Sequence, residues 1–439
     1  MVATQASADN RSAFQQQFEN RKPHLPGDAE VRERAMQQLL TTGLPDRKTE
    51  RWRYTRINSL LKQPLEPAQK PVTTTATERQ PLLDELNSGS GAPVLVFQQG
   101  YFCAELSRLE GLGEIQFKPL AAALESGAVM LPEAADGRDR AFDQLNTALV
   151  ADGGWLQLPA GKHPLITIVV LSGSAAETSY WRLLVTAASH CEAELAIVYA
   201  DSEADQETDV KAYQLNSSID LDLAPNAQVS LSQLQQQGEQ AFQVSSLRAN
   251  LQRDSSFKSH VLTLGGAISR DDVDINLAEA GAHVEFDGLQ LTNGRQHADL
   301  HLTLEHAAPN CTSQVSHHGL FGDHGRGVFN GRVHVHPGAD GTDSQMSSKN
   351  LLLSDRAEID AKPELEIYAD DVKCAHGCTV GDLNRDELFY LRSRGLTEQD
   401  ARALLLSAFA AASFATLGGH WGEHVANAVT KKMEQLSHE

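Results

Sequence analysis

"VDINLAEAGAHVEFDGLQLTNGRQHADLHLTLEHAAPN" (residues 273–310) alternates apolar and polar residues in three short runs, VDINLA, HVEFDGLQL and ADLHLTLEH, with polar turns between them. Successive side chains leave a strand on opposite sides, so alternation of period two marks a strand with one buried face. The same texture extends both ways. Upstream stand LITIVVL, AELAIVYA, SSIDLDLA and QVSLSQL, and downstream GRVHVHPG and ELEIYA, so β sequence fills more than two hundred residues. The turns between runs are alike: LAPNAQVSL, LQRDSSFKS, LAEAGAHVEF, HAAPNCTSQ and HPGADGTDS. Their tips fall at Asn226, Asp254, Gly281, Asn310 and Asp340, separated by 28, 27, 29 and 30 residues. A near-constant unit of strand, turn and strand predicts coils stacked in one direction, a β-solenoid. A sandwich is the weaker alternative, because it would turn every 8 to 12 residues or so without a regular unit length.

Helical sequence flanks this core. RSAFQQQFEN and AEVRERAMQQLLTTGLP space their apolar residues at three and four, and Gly43 with Pro45 supplies a stop. ERWRYTRINSLLKQP follows, and then the polar, Pro-bounded KPVTTTATERQP, which suits an exposed connection. Strand and helix signals mix up to about residue 150, where GGWLQLPAG opens the β texture. Beyond it, Asn384 caps RDELFYLRSRG with Glu387 at the capping-box position, Gly395 ends that helix, and Thr397 caps EQDARALLLSAFAAASFATL. The expected organisation is a helical domain over 1–90, a mixed α/β segment over 91–150, a β-solenoid over 151–383 and a helical domain over 384–439. In the last helix Leu404, Ala408, Ala411 and Ala415 form one apolar stripe and Leu405, Phe409 and Ala412 a second beside it. That is more than a short helix needs for its own packing, so a docking surface and simple packing onto the solenoid end both remain open.

The chain of 439 residues carries 37 Lys and Arg against 58 Asp and Glu, and its net charge of −21 repels phosphate backbones. Nucleic acid is excluded as an expected partner. The opening MVATQASADNRSAF has no basic region followed by an apolar run, which points to the cytoplasm. The longest apolar stretch, ALLLSAFAAASFATL, is shorter than the roughly 20 residues of a membrane span and is broken by Ser407, Ser413 and Thr416. Five scattered cysteines, Cys103, Cys191, Cys311, Cys374 and Cys378, are too few for a disulfide framework and should be reduced. No G-x-x-x-x-G-K-[ST] loop, G-x-S-x-G elbow or H-E-x-x-H motif occurs, so nucleotide hydrolysis, serine hydrolysis and zincin chemistry have nothing to rest on.

Two clusters could bind metal. In SHHGLFGDHGRGVFNGRVHVHPG the histidines are His317, His318, His324, His334 and His336, and the last two share one side of a strand. With no Asp or Glu fixed in register, these are read as lining a solenoid face and hydrogen-bonding to neighbours. DDVKCAHGCTVGDL (370–383) places Cys374, His376 and Cys378 at every second position. In an extended strand Cys374 and His376 lie about 7 Å apart, within reach of one ion, while Cys374 and Cys378 are about 13 Å apart. Thiolate with imidazole suits iron-sulfur species, Cu(I) or zinc. Structural zinc wants four ligands. Either the remaining ligands come from another surface, or Cys374 is a buried small hydrophobe. Lys373 offers a positive neighbour that would favour the Cys374 thiolate.

AEIDAKPELEIYADDVKCAHGCTVGDL (357–383), preceded by QMSSKNLLLS and followed by FYLRSRGL, resembles the core signature of the SufB/SufD family of iron-sulfur cluster assembly scaffolds. ERWRYT (50–55) resembles the family's N-terminal E-x-W-x-Y-T element, with Glu50, Trp52, Tyr54 and Thr55 in place. Length, and terminal helices without a Cys-rich segment, resemble the SufD branch more than the SufB branch. The resemblance implies a mainly β fold, a right-handed parallel β-helix flanked by N-terminal and C-terminal helical domains. It further implies a non-catalytic scaffold that pairs with a SufB-like subunit through its last strands and with a SufC-like ATPase through its C-terminal helices. Leu388, Tyr390, Leu404, Leu405 and Phe409 are the expected docking residues. Cys374 and His376 match the K-C-x-H-G element implicated in nascent cluster formation, and the partner would complete the ligand set. Cys378, where the family often has a small residue, is a third and weaker candidate ligand. Trp52 and Tyr54 are read as packing residues. The residues specify no nucleotide site and no flavin, and a homodimer of the lone chain is left open.

Two other readings compete. Many β-helices process polysaccharides with acidic residues, calcium and cleft aromatics, yet aromatics are 6% here and the strongest motif is a thiol one. A structural zinc-binding solenoid is the third.

Overall fold

The computed structural model describes residues 2–57, 65–71, 76–87, 91–173, 175–202 and 212–437. Two sheets face each other, and the chain alternates between them. One runs through Asp152–Leu158, Thr178–Ala187, Tyr213–Leu223, Ala241–Leu251, Ile268–Leu277, His297–His306, Arg326–Val335 and Glu358–Ile367, each parallel to the one before. The other runs through Ile166–Ser172, Cys191–Asp201, Gln228–Gln235, Ser256–Thr263, His283–Thr292, Thr312–Phe321, Thr342–Leu352 and Val372–Gly381, also parallel. This is the expected solenoid, of about 8 coils.

The alternation read from sequence is the burial pattern. Val273, Ile275 and Leu277 in one coil, Leu300, Leu302 and Leu304 in the next, and Val333 and Val335 in the one after all point into the space between the sheets and are buried. Each such side chain contributes about 1.5–3 kcal/mol by leaving water. A one-residue slip in any coil would expose the whole row, which fixes the lateral register. The turns add a ladder of their own. Asn226, Asp254, Gly281 and Asn310 all take positive φ, between 55° and 76°, a conformation open to Gly and tolerated by Asn and Asp. The N–H of Asn226 donates to Arg253 O, that of Asp254 to Ala280 O, that of Gly281 to Pro309 O and that of Asn310 to Asp340 O. The fifth tip is Gly341, at φ 75°, rather than Asp340: the glycine accepts the left-handed geometry without a Cβ penalty, and its N–H donates to Asp371 O.

Helices cover the outer faces. On the first sheet lie Val2–Arg21, Ala29–Thr42 and Ala141–Leu149. Asp28 caps the second by accepting from Glu30 N at 2.8 Å, and Gly43 ends it at φ 79°. Phe14, Phe18, Ala35, Met36 and Leu39 pack there with Phe142, Leu145, Trp155, Tyr180 and Leu184. Of KPVTTTATERQP (70–81), expected to be an exposed connection, residues 72–75 lie outside the described residues, and its second half is instead the start of the helix Ala76–Asn87. The end of ERWRYTRINSLLKQP, residues 58–64, also lies outside the described residues. On the second sheet lie Ala76–Asn87, Glu398–Ala411 and Gly419–Ser437, with Leu406, Ala410, Trp421, Val425 and Val429 against Leu262, Leu289, Leu291 and Leu320. The C-terminal helices therefore run along a sheet face and do not plug the solenoid end. The single helix expected over 398–417 stops at Ala411, and a second begins at Gly419, whose φ is 59°. Among the described residues no helix is long and apolar enough to cross a membrane.

Candidate functional site

Glu358–Ile367 and Val372–Gly381 end their two sheets, each paired on one side only. This leaves a coil whose outward backbone groups have no further strand to meet. Parallel pairing sets Ser344 beside Cys374, Met346 beside His376 and Ser348 beside Cys378. Ser344, Met346 and Ser348 are buried members of the row that faces the solenoid interior. Cys374, His376 and Cys378 thus continue an interior row into the last coil. They stay accessible there because no coil stacks above them: Cys374 is half-buried, His376 and Cys378 are exposed.

Cys374 packs at the edge of the main apolar core. Burial pushes its thiol pKa up, Asp343 adds to the rise, and the Ser344 backbone N–H opposes it. The thiolate expected from Lys373 does not follow, because Lys373 lies on the opposite face of the pleat. Cys374, His376 and Cys378 do not bring three ligand atoms within 4.8 Å of one another. The structure therefore presents these residues along one edge without closing a site within the chain.

Behind this row runs polar contact that sequence reading missed. His306 Nε2 meets Ser313 Oγ at 2.9 Å, and Ser313 Oγ meets Ser344 Oγ at 2.8 Å, one coil below Cys374. His317 Nδ1 meets Ser348 Oγ at 3.1 Å below Cys378, and Asn350 Nδ2 donates to the same oxygen at 3.0 Å. Burial lowers the imidazole pKa of His306 to about 4 and of His317 to about 3, the latter helped by His318. Both rings are neutral at physiological pH. The signal was Ser313 one coil from Ser344, and His317 one coil from Ser348, at shared strand positions, visible only once the coils are aligned.

The E-x-W-x-Y-T element is a clamp. Glu50–Trp52 forms a single 3₁₀ turn. Glu50 pairs with Lys362 at 2.9 Å, Arg51 with Asp272 at 3.1 Å, and Thr55 Oγ1 bonds His297 Nε2 at 2.7 Å and also donates to Asp299. Trp52 is buried, stacks on Phe142, donates Nε1–H to Asp139 O at 2.9 Å, and carries the Arg270 guanidinium 3.8 Å above its ring. Arg270, fully buried, donates to Asp272 at 2.8 Å and to Asp299 at 2.5 Å, and the two carboxyls are held well below the ordinary range despite their burial. Tyr54, read as a packing residue with Trp52, is instead exposed, with Arg53 5.7 Å from its ring.

The expected docking residues divide. Asn384 caps Arg385–Ser393 by accepting from Asp386 N at 2.9 Å, and no residue of that helix is buried. Tyr390 and Leu404 are exposed and Leu388 is half-buried, and Phe389, which the sequence reading passed over, is 74% exposed. Leu405 and Phe409 face the other way. They pack against the second sheet, Phe409 meeting the edge of His318 at 4.9 Å.

The histidine cluster disperses. His317 is inside the solenoid, His318 lies under the C-terminal helix where Ser413 bonds its Nδ1 at 2.9 Å, and His324 sits on an exposed turn. His334 and His336 do share one outer face, and contrary to expectation a carboxylate is fixed in register: Glu305 is the lateral partner of His334.

Such a molecule is a two-sheet parallel β-solenoid, helix-covered on both flanks and open at the coil that carries a thiol and an imidazole. Residues 169–409 match the family model described as SUF system FeS cluster assembly, SufBD core domain, and residues 28–168 match the SufBD protein N-terminal region. The chain is 31% identical over 384 residues to the iron-sulfur cluster assembly protein SufD of Escherichia coli K12, covering 86% of each. To an iron-sulfur cluster assembly SufBD family protein of Synechocystis it is 31% identical over 391 residues, covering 86% of this chain and 85% of that one. Over 200 residues it is 30% identical to the chloroplastic protein ABCI7 of Arabidopsis thaliana, 45% of this chain and 42% of that one. The chain belongs to the SufBD family and is SufD-like within it.

Proposed function

We propose that this chain is a non-catalytic scaffold subunit for iron-sulfur cluster assembly in the cytoplasm, with ATPase activity resident in a partner. The cluster is its cargo. In this reading the open coil pairs with a SufB-like subunit, whose side chains complete the ligand set begun by Cys374 and His376, with Cys378 in a subordinate role. Unpaired strand edges support it, since they offer a ready row of donors and acceptors to a second sheet. So does the soft donor pair, which suits iron and sulfide and does not suit calcium or magnesium.

A SufC-like ATPase docks in this reading on the face of the C-terminal helices turned away from the sheet, through Phe389, Tyr390 and Leu404, with Leu388 at the rim. Leu405 and Phe409 serve instead to hold the helices on the solenoid. The division into 1–90, 91–150, 151–383 and 384–439 belongs to the same proposal. It assigns no nucleotide or flavin to the chain.

The observation that carries the proposal is the extension of an interior row, Ser344 to Cys374 and Met346 to His376, into an uncovered coil. Anaerobic co-expression with SufB-like and SufC-like subunits, followed by iron and sulfide analysis of the complex, tests it. Cys374→Ala and His376→Ala should leave the complex intact and lower its iron and sulfide together. Phe389→Ser with Tyr390→Ser should release the ATPase and leave the other subunit bound. Undiminished iron and sulfide in both single variants would remove the site assignment.

A further inference from the structure

Glu305 is the penultimate residue of the strand His297–His306, and His334 lies beside it in the next coil, on the strand Arg326–Val335. His336 follows two residues later and returns to the same outer face. Glu305 Oε2 lies 2.6 Å from His334 Nδ1 and 2.7 Å from His336 Nε2. The two rings are 4.2 Å apart between centroids. One carboxylate oxygen thus faces two imidazole nitrogens from different rings, and the three ligand atoms lie within 4.8 Å of one another. Among the described residues this is the one group of three His, Cys, Asp or Glu that converges so.

The surroundings favour a built site over a chance encounter. The backbone positions of Glu305 and His334 are set by the lateral ladder, which the buried Leu304 and Val333 lock in register. His336 N–H donates to His306 O at 3.0 Å, fixing the start of its turn. Tyr368 stands edge-on to His334 at 5.5 Å from the last coil. Glu366, the lateral neighbour of His334 on its other side, is held by Arg332 at 2.7 Å and so is drawn away from the group. Side-chain exposures of 19% for His334, 29% for Glu305 and 38% for His336 leave room for water on one side. Glu305 and Arg332 also border a cleft of about 560 Å³.

We propose that Glu305, His334 and His336 bind a single divalent transition-metal ion of borderline softness, with the remaining coordination positions open to water. Two imidazoles and a carboxylate are the donor set suited to Fe(II), Co(II), Ni(II), Cu(II) or Zn(II), and are poorly suited to calcium or magnesium. Ligand atoms about 2.0–2.2 Å from a tetrahedral ion stand about 3.4 Å apart, so the group need open by less than about 1 Å as the ion replaces the shared protons. The site stands on the opposite sheet from Cys374 and His376 and does not depend on the scaffold reading.

The test uses the full chain carrying Cys374→Ala, His376→Ala and Cys378→Ala, so that terminal-strand thiolates cannot compete, titrated anaerobically with Co(II). Equilibrium dialysis with metal analysis should find one equivalent, giving weak visible d–d bands without a thiolate charge-transfer band. Adding Glu305→Gln or His334→Ala should weaken it at least about ten-fold, since disturbing outer-shell partners alone costs 10–100-fold. Circular dichroism checks that these variants fold. In the unsubstituted chain, Zn(II) should protect His334 and His336 from carbethoxylation by diethyl pyrocarbonate, mapped on peptides, a readout that needs no substitution. Absence of the Co(II) equivalent, an affinity unchanged by both substitutions, or unprotected histidines would each overturn the proposal.

Discussion

Asp271 is a carboxyl pointed into the solenoid interior, and replacing it should stabilise the protein at neutral pH. It lies on Ile268–Leu277 in the same alternating row as Val273 and Ile275, and it is buried. Its support comes from hydroxyls: Ser245 Oγ donates to one oxygen and Thr263 Oγ1 to the other at 3.3 Å. Arg270, the adjacent residue, faces the opposite way and serves Asp272 and Asp299. Burial raises the Asp271 pKa to about 6, against the hydroxyl bonds and with help from Asp272 and Asp299. A carboxyl whose folded pKa lies above its unfolded value of about 3.9 destabilises the fold above both, and the penalty is relieved as pH falls between them. The difference of about 2 units corresponds to about 3 kcal/mol at neutral pH. Asp271→Asn keeps one carbonyl oxygen for Ser245 and offers an N–H to Thr263, so most of that should be recovered, about 1–3 kcal/mol. Urea unfolding of both proteins from about pH 7 down to about pH 4 measures it. The variant should lead at pH 7, and its lead should shrink to nothing near pH 4, where Asp271 carries its own proton. A variant no more stable at neutral pH, or one whose gain is flat with pH, refutes the reasoning.

Two further outcomes follow from burial. Trp52→Ala should cost about 3–5 kcal/mol by emptying the space between Phe142 and the Arg270 guanidinium, whereas Tyr54→Ala should stay within about 0.5 kcal/mol, both read as urea midpoints. Burial lowers His260, His306 and His318 to about 4 and His317 to about 3. Each holds its ring neutral in the fold, so its contribution is complete above the unfolded pKa of about 6.5 and is lost as pH falls below it, by up to about 1.4 kcal/mol per unit. Asp271 and Asp287, both raised to about 6, pull the other way in the same range, as do the raised Asp152, Asp222 and Asp360, but the four imidazoles, joined by His297 and His301, which burial also lowers, outweigh them. Stability should therefore fall between about pH 6.5 and pH 5, and a flat or rising urea midpoint over that interval would contradict it.

The solenoid was legible because its determinants are local. Alternation records which face of a strand is buried, and a left-handed turn tip asks for Asn, Asp or Gly, so Asn226, Asp254, Gly281 and Asn310 announced both the unit and its length. Asp340 missed by one residue for the same reason, since both it and Gly341 are acceptable tips and only the backbone decides between them. The break after Ala411 was harder to see. Apolar residues continue through it, and Gly418 and Gly419 mark the restart of a helix as readily as the end of one. Tyr54 misled because a motif gives residue types without directions: Trp52 turns into the protein, and two residues later the chain has left the 3₁₀ turn.

Candidate ligands were legible to the extent that they share a strand. Cys374 and His376 stand two apart, so pleating alone puts them on one side, and their placement at the end of the coil stack makes that interior row reachable from outside. Glu305 could not be read this way. Its partnership with His334 spans 29 residues of sequence and exists only because coils of nearly that length stack in register. A solenoid converts such separations into neighbours, so a polar residue recurring one coil apart at the same strand position is a contact, whatever lies between. The same rule brings Ser313 to Ser344 and His317 to Ser348, each 31 residues apart, and runs bonded polar groups up to the coil that carries Cys374 and Cys378. In this fold the chemistry at an edge residue is therefore set as much by the residue one coil back as by its neighbours in sequence.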